Sequence, residues 1–236
     1  IQAEGKGVPM VRTEATDPSA RRGKGQIRTQ KKESVVTAIY TIAPYLRTPE
    51  QVADALLHEA QQTSTQPPRP APVGKEVRAT LKGKDFALAR LARRVDQRQG
   101  QHIQHRAALT DGAEALQDRV LSTFPGFELV LDIIHGSEYL WRAANALLGE
   151  THPNRTPWVK EHLLSILSGK TETVIQILED LTHDSSLSPA QVEALNTTIG
   201  YYRRNLPYMR YDHYLAQGWP ISSGVVEGAC GHLVKD

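Results

Sequence analysis

Hydrophobic positions along the chain form two kinds of pattern, short apolar runs typical of strands and longer stretches with helical spacing. The runs predict a strand, a two-glycine turn and a second strand within the first twelve residues. They predict further strands at 34–42, 103–109 and 127–131. Helical spacing and capping residues predict helices that begin at Thr48 and cover about 85–99, 113–123 and 134–148. The order of these elements predicts an α/β fold, with a mixed sheet flanked by helices.

The stretch from Thr156 to about Arg204 has helical spacing throughout. It predicts three successive helices at 158–167, 170–181 and 189–202. Because this block interrupts the alternation of strands and helices, we interpret it as an all-α insertion. Residues 207–220 are aromatic and irregular, and Ser223 is placed to cap a last helix. The predicted division is therefore 1–149 and 207–236 for the main α/β unit, with 150–206 as the insertion.

Charge adds two local basic surfaces to this picture. The whole chain of 236 residues has a net charge of only +2, which excludes a polycation but allows local patches to contact nucleic acid. The first patch lies in a polar stretch and the second on the predicted helix at 85–99. The basic residues of the two patches are Arg21, Arg22, Lys24, Arg28, Lys31 and Lys32, and then Arg90, Arg93 and Arg94. Each patch is either a solvated surface or a surface that contacts phosphates.

Cysteine usage and hydropathy suggest where the chain operates. Cys230 is the only cysteine, so no disulfide can form within the chain, which suits a reducing, cytoplasmic location. No apolar run reaches the roughly 18 residues of a membrane span. The sequence begins at Ile1 without a methionine and ends in the middle of a helical pattern at Asp236, so we expect a fragment.

Two aspartates stand where an apolar strand pattern ends, Asp111 before a glycine and Asp132 before a helix. Carboxylates at neighbouring strand ends can meet, and such oxygen ligands suit Mg²⁺ or Mn²⁺ in phosphoryl transfer. Alternatively, Asp111 is a turn residue and Asp132 a helix cap. His135 is a first-turn histidine, a partner of Asp132 or a DNA contact. Glu227 stands among small apolar residues, which suggests a carboxylate that faces a site.

Four motifs occur in a fixed order along the chain: Glu4-Gly-Lys-Gly-Val-Pro-Met10, Thr110-Asp-Gly112, Asp132-Ile-Ile-His135 and Gly224-Val-Val-Glu-Gly-Ala-Cys230. The helical block precedes the last of them. This combination resembles bacterial insertion-sequence transposases of the ISKra type, which belong to the broad Mutator-like branch of DDE transposases. The resemblance extends from Glu4 to the end of the chain.

The resemblance implies an RNase H-like catalytic core that uses Mg²⁺ or Mn²⁺ to cut transposon ends and join them to target DNA. It implies that Glu4, Asp111 and Glu227 are the catalytic acids that bind the metal. Asp132 and His135 would be the Asp-x-x-His pair that marks this branch. It also implies DNA as the partner and a homo-oligomer as the acting form.

The chain departs from the family pattern at three places. Glu4 stands where the family has aspartate, Gly231 stands where we expect arginine, and the last helix ends early. These departures indicate a degenerate or truncated copy. Two alternatives to an active transposase therefore stay open, a catalytically inactive DNA-binding remnant and an RNase H-fold nuclease without strand transfer.

Overall fold

A computed structural model describes residues 1–9, 31–59, 68–98 and 100–224. In this part the chain forms five strands and eight α-helices. The strands are β1 Gln2–Pro9, β2 Lys31–Thr41, β3 Val73–Thr80, β4 Ala107–Thr110 and β5 Glu128–Leu131. The helices are α1 Pro49–Leu56, α2 Lys84–Asp96, α3 Glu114–Thr123, α4 Ile133–Leu148, α5 Arg155–Leu167, α6 Thr171–Thr182, α7 Pro189–Asn205 and α8 Tyr211–Ala216. A short 3₁₀ turn, Leu206–Tyr208, precedes α8.

The five strands form one mixed sheet in the order β3-β2-β1-β4-β5. The pairs β1–β2 and β2–β3 are antiparallel, whereas β1–β4 and β4–β5 are parallel. The long connections that parallel pairing requires contain α2, which precedes β4, and α3, which lies between β4 and β5. The predicted α/β class with a mixed sheet is therefore confirmed.

The prediction of a two-glycine turn near the start of the chain was wrong. Gly5 and Gly7 lie inside one continuous strand, β1, and pair with Val35 and Glu33 of β2. A side chain at Gly5 would meet the carboxylate of Glu33, since a Cβ there would lie 2.5 Å from Oε1. Gly5 therefore leaves room for the Glu33 carboxylate and does not form a turn.

The edge strand β3 was missed. Its residues, Val73–Thr80, are exposed or only half-buried, so they lack the apolar pattern by which a strand is recognised. Two other predictions needed correction: β4 begins at Ala107 and not at 103, and the aromatic stretch at 207–220 contains α8.

The predicted helices were confirmed with small shifts in their bounds, and two of them begin with the predicted capping residues. Thr48 and Gln51 form a reciprocal capping box at the start of α1, with proline at the first helical position. Ser188 and Gln191 form the same arrangement at the start of α7. These signals depend only on residues three positions apart, so the sequence alone is enough to predict them.

The sheet carries a hydrophobic cluster on each face. On one face Ala3 of β1 packs with Leu88 of α2 and Leu116 of α3. On the other face Leu109 of β4 packs with buried residues of β5, α4 and the helices from α5 to α8. Within the described ranges, no helix is both long and apolar enough to cross a membrane.

Candidate functional site

The central strands bring three acidic residues to one level of the sheet. Ala3 of β1 is paired with Thr110 of β4, which is paired in turn with Leu131 of β5. The residue that follows each of these along its strand is an acid. The three acids are Glu4, Asp111 and Asp132. Because all three strands run parallel, the three acids follow aligned positions of neighbouring strands, and we call Glu4, Asp111 and Asp132 the acid row.

Glu4 belongs to the face of the sheet that carries α4. Its neighbour Ala3 packs against α2 and α3, and successive strand residues point to opposite faces. The Glu4 side chain is buried, with 8% of the residue exposed. A carboxylate so placed is held within the fold and does not lie in bulk solvent.

Asp111 lies in a tight turn that accepts hydrogen bonds from side chains of α7. Its Oδ1 accepts a hydrogen bond from the backbone N–H of Ala113 at 3.0 Å. The hydroxyl of Tyr201 donates to the Asp111 carbonyl at 2.9 Å, and Arg204 donates to the Gly112 carbonyl at 2.8 Å. Asp111 is therefore a turn residue, as one of the two interpretations held, and it also remains half-buried at the acid row.

Gly112 is required by this turn for two reasons. Its φ is +83°, in the left-handed region that disfavours residues with a Cβ. A Cβ at this position would also lie 2.6 Å from the Tyr201 hydroxyl oxygen. The Asp-Gly pair thus sets a backbone position against which the tyrosine packs closely.

Asp132 is fully buried and its two carboxylate oxygens are both engaged. Oδ1 accepts a hydrogen bond from the N–H of Ile134 at 2.9 Å, so Asp132 is the N-cap of α4. Oδ2 accepts hydrogen bonds from the N–H of Ser223, at 3.1 Å, and from its hydroxyl. His135 Nδ1 lies 3.4 Å from the same oxygen. This set of donors compensates the buried charge.

His135 adds a positive charge beside the acid row. Its hydrogen bond with Asp132 raises the pKa of His135 from 6.5 to about 9, and the charges of Asp132, Glu138 and Glu4 add to the effect. The imidazole is therefore protonated at neutral pH. In this state the imidazole donates hydrogen bonds, so His135 can contact an anionic partner.

The residues after α8 lie against the strands that carry the acid row. The N–H of Ile133 donates to the Ile221 carbonyl at 2.9 Å, and the Gln2 amide donates to the Ser222 carbonyl at 3.2 Å. Gln2 and Ser222 were not predicted to be part of the site. The contacts join positions 220 residues apart in the case of Gln2, so no local pattern indicated them. Glu227, four residues beyond Ser223, lies outside the described residues.

The predicted basic surfaces are not beside the acid row as far as the structure describes them. Arg21, Arg22, Lys24, Arg28 and the side chain of Lys31 lie outside the described residues, and Lys32 is exposed on β2. The predicted residues of the second surface, Arg90, Arg93 and Arg94, belong to α2.

The helix α2 packs on the sheet face opposite to the Glu4 side chain. Arg94 forms an ion pair with Glu76 of β3, Arg93 is exposed and Arg90 is half-buried. The structure therefore separates this surface from the acids.

The described residues alone contain no group of three or more His, Cys, Asp or Glu side chains that could hold a metal ion. Comparisons with protein-family models, curated proteins and solved structures gave no significant match. The function is therefore inferred from the acid row and its surroundings.

Proposed function

We propose that this protein is a metal-dependent enzyme of phosphoryl transfer on DNA, built on an RNase H-like core. The observation that carries the proposal is the register that aligns Glu4, Asp111 and Asp132 across three parallel strands. The mixed order β3-β2-β1-β4-β5, with helices on both faces, is compatible with such a core. In α/β sheets, ligands bind at the carboxyl ends of parallel strands, which is where Asp111 stands.

The donor set suits a hard divalent cation. Mg²⁺ is usually bound by one or two carboxylates together with substrate phosphates and water. Two aligned acids can therefore supply the protein ligands of such a site. Glu4 and Asp111 would hold the ion, and Glu227 would add the third carboxylate that the family resemblance implies. When bound, such an ion supplies an activated oxygen nucleophile and neutralises charge on the leaving oxygen.

The residues around the acid row have separate tasks in this proposal. The turn at Asp111 is held by Tyr201 and Arg204, so its carboxylate keeps a fixed position. Protonated His135 attracts a phosphate of the substrate. Asp132 caps α4 and fastens Ser223, and the predicted last helix with Glu227 follows Ser223 directly.

Within this class, we assign the chain to DDE transposases similar to the ISKra type. The family resemblance, and not the geometry, supports this finer assignment and the joining of DNA ends. In this assignment residues 1–149 and 207–236 form the catalytic core, residues 150–206 form the all-α insertion, and the acting form is an oligomer.

A catalytically inactive DNA-binding remnant is the second candidate. It is favoured by Glu4, which stands where the family has aspartate and whose longer side chain moves the carboxylate within a buried site. Under this candidate Glu4→Asp should leave the protein inactive. If Glu4 instead only weakens an active site, Glu4→Asp should raise the rate of cleavage.

The test of the proposal is nicking of supercoiled plasmid DNA in the presence of Mg²⁺ or Mn²⁺. We expect nicking by the wild-type chain and its loss in Asp111→Asn. Asparagine keeps an acceptor for the Ala113 N–H, so the turn is retained while the charge is removed. Joining of a 3′-hydroxyl end to a second DNA would distinguish a transposase from a nuclease. Cleavage that persists in Asp111→Asn would refute the proposal.

A further inference from the structure

Two arginines and two tyrosines form a continuous stack beside the acid row. The rings of Tyr139 and Tyr201 are parallel within 9°, with centroids 3.6 Å apart. The guanidinium carbon of Arg142 lies 4.6 Å from the Tyr139 centroid, and that of Arg204 lies 5.6 Å from the Tyr201 centroid. We name these four residues the arginine–tyrosine stack. Stacking on aromatic rings holds the two long cationic side chains in place.

The stack is attached directly to the turn that carries Asp111. Tyr201 donates a hydrogen bond to the Asp111 carbonyl, and Arg204 donates to the Gly112 carbonyl. These two direct hydrogen bonds fix the distance between the stack and Asp111.

The two arginines of the stack differ in their partners from two arginines that lie near them in sequence. Arg203, next to Arg204 on α7, forms an ion pair with Glu179, and Arg210 forms one with Glu128. Arg142 and Arg204 are exposed, and neither forms an ion pair with a carboxylate in the described part of the chain. Their charge is therefore not neutralised by the described acids.

The helix α4 extends this cationic surface toward the acid row. Its residues His135, Tyr139 and Arg142 are spaced by four and three positions, so they share one helix face. The exposed acid Glu138 is adjacent to this face and adds to the high pKa of His135. A protonated histidine at the acid row is thus followed along the helix by a stacked arginine.

We infer that the arginine–tyrosine stack binds the phosphate backbone of the DNA strand on which the acid row acts. This inference rests on the proposed function, and it places DNA contacts on the sheet face that carries the acids and not on α2. Guanidinium groups match phosphate oxygens in geometry and charge. The strand that presents a phosphate to Asp111 then has neighbouring phosphates beside Arg142 and Arg204.

The test is the salt dependence of binding to a fluorescein-labelled DNA duplex, measured by fluorescence anisotropy without divalent metal. The double variant Arg142→Gln/Arg204→Gln should raise Kd by about tenfold or more at about 50 mM KCl. It should also reduce the slope of log Kd against log salt by about 1 for each arginine removed. The Kd values of variant and wild type should therefore approach each other as salt rises.

Two controls make the result specific. Arg203→Gln removes the same charge from a neighbouring exposed position that is ion-paired with Glu179, and it should leave the slope unchanged. Arg142→Lys/Arg204→Lys keeps both charges and should retain most of the slope. Circular dichroism and thermal unfolding verify that each variant is folded.

The inference is overturned if the double glutamine variant, once folded, loses no more slope than Arg203→Gln. It is also overturned if the double lysine variant loses as much slope as the double glutamine variant, because the effect would then not depend on charge. Cleavage that depends on Asp111 together with an unchanged slope would refute the stack and leave the proposed function standing. A reduced slope without any metal-dependent cleavage would support the stack and refute the proposed function.

Discussion

The ends of β4 and β5 provide a direct comparison within the molecule. Each strand is followed by an aspartate at the same level of the sheet, Asp111 after Thr110 and Asp132 after Leu131. Asp132 is fully buried, and four donors surround its two oxygens. Asp111 is half-buried, and within the described residues its carboxylate accepts one hydrogen bond, from Ala113.

The difference shows that strand register determines where an acid lies but not what its carboxylate does. The carboxylate of Asp132 is already occupied by the first turn of α4, by Ser223 and by His135, so it mainly holds the site together. The carboxylate of Asp111 retains oxygen lone pairs for a cation, on a turn that Tyr201 and Arg204 hold from outside. We therefore expect substitutions at Asp132 to affect stability first and substitutions at Asp111 to affect chemistry first.

The largest expected effect is the loss of protein stability when Asp132, the residue after β5, is replaced. Asp132→Ala leaves the Ser223 donors and the first turn of α4 without an acceptor, and it should lower the free energy of unfolding by about 3 kcal/mol or more. Asp111→Ala removes one partly exposed acceptor and should cost less than about 1 kcal/mol. Urea denaturation of both variants measures the contrast, and equal losses would contradict it.

The next effect tests how tightly the turn after Asp111 packs. Gly112 and Gly149 have similar positive φ values, +83° and +87°. A Cβ at Gly112 would lie close to Tyr201, whereas a Cβ at Gly149 would have no atom within 4 Å. Gly149 also has a ψ of 155°, a conformation almost confined to glycine, so the matched control for the close approach is a change of Tyr201 itself. Gly112→Ala should be more destabilising in the wild-type chain than in a Tyr201→Ala chain by about 2 kcal/mol, because only the wild-type chain has the close approach to the tyrosine. If thermal or urea unfolding gives the same cost in both chains, Tyr201 does not hold the turn as described.

The smallest effect concerns the pH dependence of the contact between Asp132 and His135. The pKa of His135 is about 9 in the folded state against an ordinary value of 6.5, so the folded state binds the proton more tightly. The resulting stabilisation is fully present below pH 6.5 and is lost as the pH rises through about 9. His135→Gln should therefore cost about 1 to 2 kcal/mol near pH 6 and much less above pH 9, as measured by urea denaturation. A cost that stays constant over this range would contradict the ion pair.

Local signals explain how much of the fold was predictable from sequence. The capping residues Thr48 and Ser188 each act on a backbone N–H three positions away, so the starts of α1 and α7 were evident. The edge strand β3 is largely polar, and its pairing with β2 decides its conformation. Gly5 and Gly7 indicated a turn, but the long antiparallel ladder with β2 keeps them extended.

The same distinction applies to the candidate site. Asp111 and Asp132 could be identified from sequence because each follows a short apolar run. The ladder that aligns them with Glu4 depends on pairing between strands that are about a hundred positions apart, which no local pattern gives. Tyr201 and Arg204 reach the Asp111 turn from α7, so tertiary packing alone reveals them. The spacing of His135, Tyr139 and Arg142 on one helix face was the one local signal that could have indicated the stack.

The catalytic role of Asp111 is tested most directly by the rate of metal-dependent plasmid nicking in two matched variants. Asp111→Asn removes the charge from the acid row, and Asp118→Asn makes the same change at an exposed position on α3. We expect Asp118→Asn to nick at the wild-type rate and Asp111→Asn to be slower by about 100-fold or more, because even residues that only orient metal ligands contribute about 10- to 100-fold. Equal rates in the two folded variants would contradict the assignment of Asp111 to the chemistry of this protein.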